Sequence, residues 1–206
     1  MTEATTTDIE TVQRAVAQRL GQCLLRLQAY ERLMKAIAAD FEVSGSLKSG
    51  PEKSDKRKAA IARKTLGTLV GEVLGSFLTS ADRLNAIDGS SEPSSEPASF
   101  AFRMQIAFPA EEFMRVEREL SEFVHLRNEL VHHFAERHDL TNYAGCQFAE
   151  QTLILAAERI ERHYADLWGW GEDLVRGKNM MAEVMQDPAV RDSIIDASPS
   201  EARLKS

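Results

Sequence analysis

The chain has 206 residues, is 43% hydrophobic and 28% charged, and carries a formal net charge of −7. That length suits one domain with a proper core, or one domain with tails, and the composition is that of a globular protein. The negative balance excludes general coating of nucleic acid or anionic membrane, so any polyanion must meet a local basic patch.

Two cysteines, Cys23 and Cys146, give neither a disulfide framework nor a paired metal motif. No metal and no cofactor is expected. The opening MTEATTTDIE is polar and acidic, without the apolar stretch of a secretory signal. No apolar run reaches the roughly eighteen residues of a membrane span. These features predict a cytoplasmic protein with no membrane partner.

Thr7 and Glu10 have the spacing of a capping box. From there to about Phe41 the apolar residues keep helical spacing, through Val12, Val16, Leu20, Leu27, Leu33 and Ile37. Glycine, proline and serine in EVSGSLKSGPEKS then predict a loop near 42–55. A second helix is expected from about Asp55 to Ala86, followed by a Ser/Pro/Glu loop near 88–100. FAFRMQIAF (100–108) alternates poorly and reads as a connector. Pro109 opens a third helix, with Glu111 and Glu112 beside its positive end, running to about His138.

A fourth helix is expected from about Gly145 to Val175, with Trp168 in the core and Trp170 partly exposed. Shorter helices are expected over 178–186 and 188–196, then a frayed end. The expected fold is all-α: an antiparallel bundle of four long helices over 1–175, with short helices and a tail over 176–206 and no sheet.

The third helix holds an anomaly in VHLRNELVHHF (124–134). Val116, Leu120, Phe123, Arg127, Leu130 and Phe134 step by four and three in turn, which is a heptad seam. Arg127 stands where an apolar residue belongs. A buried guanidinium needs a carboxylate, a phosphate or a wet groove. On a wheel of about 100° per residue, His125, Asn128 and His132 form a polar stripe roughly 100–160° from Arg127, and His133 lies on the other flank. Guanidinium, amide and imidazole suit phosphodiester chemistry, the imidazole moving protons and the guanidinium meeting charge on phosphorus oxygens. Plainer readings stand beside this one. Arg127 can serve as a register device in the seam. The histidines can be solvated groups near the helix end. His125, His132, His133 and His138 can also be read as a metal cluster, although their spacing matches no usual pattern.

RNELVHHF resembles the signature of HEPN domains: Arg, four to six residues, then His, late on the third helix of an all-helical bundle, often with Asn after the Arg. Arg127, Asn128 and His132 match with four intervening residues, and His133 matches with five. Arg118 and His125 meet the bare pattern with six between, but Glu119 stands in place of the Asn. The literal match covers about eight residues, and the helical layout extends it over 1–175. The resemblance implies a homodimer whose cleft holds the Arg and His of both subunits. It implies RNA as substrate, cut without metal by attack of the 2′-hydroxyl to leave a cyclic phosphate. It also implies a toxin or antiviral role, with an antitoxin or regulatory protein as partner. Arg127, Asn128 and His132 would be catalytic, with His133 and His125 as secondary candidates. Toxins of this kind often carry Tyr two residues after the His, and here that residue is Phe134. Other HEPN domains bind and regulate without cutting, so the alternative is a non-catalytic module that uses the Arg127 helix for dimerisation.

A substrate path is the last candidate. Lys56, Arg57, Lys58, Arg63 and Lys64 lie in a basic stretch that can track phosphates. The plainer reading is a solvated loop and helix start.

Overall fold

The computed structural model describes residues 6–46, 52–84 and 99–190. Helix dominates. In chain order the elements are α1 (Thr6–Asp40), β1 (Glu42–Ser46), α2 (Glu52–Ala62), α3 (Leu66–Val73), β2 (Leu78–Ser80), α4 (Ala81–Leu84), β3 (Ser99–Arg103) and β4 (Ile106–Phe108). Then come α5 (Ala110–Asn128), a π-turn (Glu129–His133), α6 (Phe134–Arg137) and α7 (Tyr143–Gln186). The chain divides into two compact units, one made of Met1–Met34 and Arg115–Gly169, the other of Lys35–Met114 and Trp170–Ser206.

In the first unit three heptad seams face inward. Val16, Cys23, Leu27, Tyr30 and Met34 are buried on α1. On α5 and beyond the buried residues are Val116, Leu120, Phe123, Leu130 and Phe134. Cys146, Ala149, Leu153, Ala156, Ile160 and Leu167 are buried on α7, where small side chains let the helices approach. Tyr30 packs on Phe123 with ring centroids 4.5 Å apart, and Phe123 packs on His163 at 4.4 Å. The pairs Arg19–Glu150 and Arg26–Glu161 advance together along α1 and α7, so those two helices run parallel. Glu122–Arg159 and Phe134–His138–Phe148 run in opposite senses along α5–α6 and α7, so the middle helix is antiparallel to the third.

The seam around Arg127 is therefore filled by the chain's own core, not left as a face for another copy. Trp168 is 53% exposed and not in the core, because Leu167 takes the inward position and one residue turns the helix by about 100°. It stacks on Tyr164 instead.

The second unit corrects the expected bundle. There is no long helix from Asp55 to Ala86. The segment breaks at Arg63–Thr65, where the Thr65 hydroxyl caps α3 by accepting from the Thr68 N–H. It stops again at Gly75, whose φ of +81° is open to glycine at little cost. The supposed connector 100–108 is two strands. β3 pairs antiparallel with β1, Glu42 opposite Arg103, and β4 pairs parallel with β2, Leu78 opposite Ile106. Phe41, Ile61, Leu66, Leu69, Val73 and Phe77 are buried in this unit. Trp170 is half-buried, edge-on to Phe108. α7 runs unbroken to Gln186, so the separate helix expected over 178–186 is its continuation. Residues 188–190 are helical, and the rest of the helix expected over 188–196 lies outside the described residues, as do 47–51 and 88–98 of the two expected loops.

Candidate functional site

In a regular α-helix, five residues turn the chain by about 500°, leaving Arg127 and His132 roughly 140° apart. The structure removes that separation. From Glu129 to His133 the backbone widens into a π-turn, whose i→i+5 bonding carries about one extra residue per turn. Residue i+5 then lies nearly over residue i. Helical geometry resumes at Phe134, after His133 at φ −121° and ψ 0°.

The result is a contact. One Arg127 nitrogen, Nη1, donates to the Asn128 side-chain oxygen at 3.1 Å and lies 3.3 Å from His132 Nε2. A guanidinium only donates, so a hydrogen bond between the two takes the Nε2 lone pair and needs the His132 ring proton on Nδ1. Arg127 and Asn128 are half-buried, and His132 is exposed.

The charge around Arg127 is unusual. The other half-buried arginines among the described residues, Arg19, Arg26, Arg57 and Arg159, each pair with a carboxylate. Arg127 has no carboxylate partner among the described residues.

No family model, curated protein or solved structure matches this chain.

The remaining candidates lie apart from the contact. His133 Nδ1 meets Glu136 at 3.1 Å, and its ring stands 6.3 Å from that of His132. His125 faces Glu129 at 3.8 Å, while Glu129 Oε2 is buried against Arg137 Nη1 at 2.5 Å, an ionic contact whose angles are not those of a hydrogen bond. Among the described residues no group of three His, Cys, Asp or Glu side chains is arranged to hold a metal ion. Phe134 is buried against His138, with ring centroids 4.6 Å apart. Two of the five basic candidates have structural partners. Arg57 pairs with Glu42 at 3.3 Å, donates to the Ala38 carbonyl at the end of α1 and lies over the Phe41 ring, and Lys64 pairs with Glu72. Lys56, Lys58 and Arg63 are exposed. All five belong to the second unit, whereas Arg127 and His132 belong to the first.

Sequence reasoning missed a groove of about 920 Å³ between α5–α6 and α7. Leu126, Leu130, Phe134 and Phe148 give it apolar walls, and Arg137 and Arg159 line it with Glu122, Glu129, His125 and His138. The i, i+4 step from Phe134 to His138 and the apolar Phe148 across the turn were its only signals in the sequence. Arg127, Asn128 and His132 are not part of it.

Proposed function

We propose that the chain is a metal-independent endoribonuclease of HEPN type, working as a homodimer. One observation carries the reading: a half-buried arginine without a carboxylate touches both an amide and an imidazole, and a local departure from α-helix makes the contact. Such a cation suits a phosphate, which offers the charge that Arg127 lacks. π-turns recur at functional sites.

In this reading a bound phosphodiester draws Arg127 onto its non-bridging oxygens. His132 Nε2 takes the proton of the 2′-hydroxyl, the 2′-oxygen bonds to phosphorus, and the bond to the 5′-oxygen breaks. A proton from the second copy's imidazolium goes to that leaving oxygen. The products are a 2′,3′-cyclic phosphate and a 5′-hydroxyl. Arg127 stabilises the charge gathered on phosphorus, and Asn128 holds the guanidinium. The pair stands on open surface outside the groove, which fits a cleft completed by a second subunit.

The test is cleavage of single-stranded RNA by the purified chain in the presence of EDTA. Cyclic-phosphate ends are expected and DNA should survive, since it lacks the nucleophile. His132→Ala should lose about 10² to 10⁴ in rate, and His133→Ala much less. A folded chain that cuts no RNA in vitro or on expression would sink the nuclease and leave the binding module.

A further inference from the structure

The groove of the first unit has a buried histidine in its wall. His138 is 9% exposed, held between Phe134 at 4.6 Å and Phe148 at 5.4 Å between ring centroids. Its Nδ1 is buried and has no hydrogen-bond partner among the described residues. Burial, then the charge of Arg137, makes this ring harder to protonate than a free histidine, so it is a neutral imidazole at neutral pH. Nδ1 has no surface open to the groove, so His138 enters the wall as an uncharged ring and its nitrogen is not a contact for an occupant.

The other walls say what kind of occupant the groove fits. Phe148 is 66% exposed although it borders the groove, and Leu126, Leu130 and Phe134 continue the apolar surface. An apolar body fits there. Arg137 is closed onto Glu129. Arg159 is not held in the same way. It reaches Glu122 through one contact at 3.4 Å, with the two side chains 41% and 56% exposed. An exposed pair of that length holds its partners weakly, whereas a carboxylate approaching in the plane of the guanidinium makes two parallel bonds. Thr152 and Arg159 are seven residues apart on α7, which sets their Cα atoms roughly 10 Å apart along the groove.

We propose that the α5–α7 groove is a binding site for a small amphiphilic carboxylate, its head on Arg159 in place of Glu122 and its apolar body on Phe148, Phe134 and Leu130. The site is separate from the Arg127–His132 pair and does not rest on the nuclease reading.

Octanoate is the probe, with octanol as its uncharged counterpart, titrated calorimetrically into the full chain. Octanoate is expected to bind saturably, one per chain, and to shift the ring nitrogen signals of His138. Octanol should bind at least about tenfold more weakly, the worth of a charge-assisted pair. Arg159→Gln should weaken octanoate by about that factor and leave octanol unchanged. Glu122→Gln, which removes the competing carboxylate at an exposed position, should tighten octanoate. Phe148→Ala should weaken both. Absence of saturable octanoate binding to the wild type would overturn the proposal. So would equal affinity for the two probes, or an octanoate affinity that neither Arg159→Gln nor Glu122→Gln moves.

Discussion

Arg127 and Tyr30 are two polar groups set into the same core, and they show what burial asks of each. The guanidinium keeps one end at the surface and finds Asn128 and His132. The Tyr30 hydroxyl is fully buried and has no partner among the described residues. Burial, with the nearby charge of Asp166, raises its pKa, so it stays a neutral phenol. Removing a polar atom that makes no hydrogen bond leaves nothing behind unpaired. Tyr30→Phe should therefore be neutral or stabilising, within about 1 kcal/mol, in a urea denaturation series. A loss above about 2 kcal/mol would mean that the hydroxyl has a partner, such as an ordered water. The two least exposed histidines set a pH dependence. Burial makes His138 and His163 harder to protonate in the folded chain. Arg137 reinforces this at His138. At His163, Arg159 and Arg162 act with burial while Asp166 and Glu119 oppose it. The unfolded chain then binds more protons below about pH 6.5, so stability is present above that value and falls as pH drops through it. The urea midpoint should be lower at about pH 5.5 than at about pH 7.5, and His138→Phe, which leaves an aromatic ring between Phe134 and Phe148, should reduce the drop. A midpoint that does not change over that range would contradict both assignments.

At the scale of elements, the turn between α6 and α7 is the most tightly specified part of the first unit. Asp139 accepts from the Thr141 N–H, the Thr141 hydroxyl and the Asn142 amide, and these bonds lower its pKa. Asn142 in turn accepts from the Gly145 N–H. A Cβ at Gly145 would land on the Asp139 carbonyl, which is backbone and has little freedom to yield. Gly145→Ala is expected to cost about 1–3 kcal/mol, the range for overpacking, read as a lower thermal midpoint. At Gly75 a Cβ would meet only the Arg83 guanidinium at an ordinary contact of 3.8 Å and the penalty is conformational, so Gly75→Ala should cost about 1–2 kcal/mol. Equal stability of either variant with the wild type would contradict the backbone placed there. These elements also show what the sequence carries. α1, the stretch from α5 to α6, and α7 are legible because each repeats an apolar stripe over many turns, and such repetition survives local noise. Arg127, Asn128 and His132 are legible as a local cluster. The π-turn is not, because one extra residue inside a helix leaves no mark in composition. On a regular wheel it puts His132 on the wrong side of Arg127. The strands at 99–103 and 106–108 escape notice because their partners lie far back, near Phe41 and Phe77, and no short window holds both halves of a ladder. The break at Thr65 is a cap inside a pattern that otherwise reads as continuous, and only the hydroxyl bond to Thr68 discloses it.

At the scale of the whole molecule, the consequence is for assembly. A dimer built on the seam of α5 would need Leu120 and Leu130 at its surface, but both are buried in the chain's own core. Leu120→Glu and Leu130→Glu should therefore give unfolded protein, not folded monomer, and they report on folding alone. Among the residues that α5 and its π-turn leave outside are His132, half of Arg127, and Val131, which is 42% exposed. In the proposed nuclease, this part of the surface is the one that would meet a second copy. A cleft formed there would place two guanidiniums and two imidazoles together, and each chain alone would hold half of the acid–base pair. Activity per chain should then depend on concentration. On dilution through the range where sedimentation shows the dimer giving way to monomer, RNA cleavage per chain should fall in parallel. Val131→Glu, a change at an exposed position that the core does not feel, should move both curves to higher concentration while leaving the circular dichroism spectrum unchanged, because it sets like charges against each other across the two-fold axis. Cleavage per chain that stays constant as the dimer dissociates would place the whole reaction within one subunit. Dissociation unaffected by Val131→Glu would move the interface off this face.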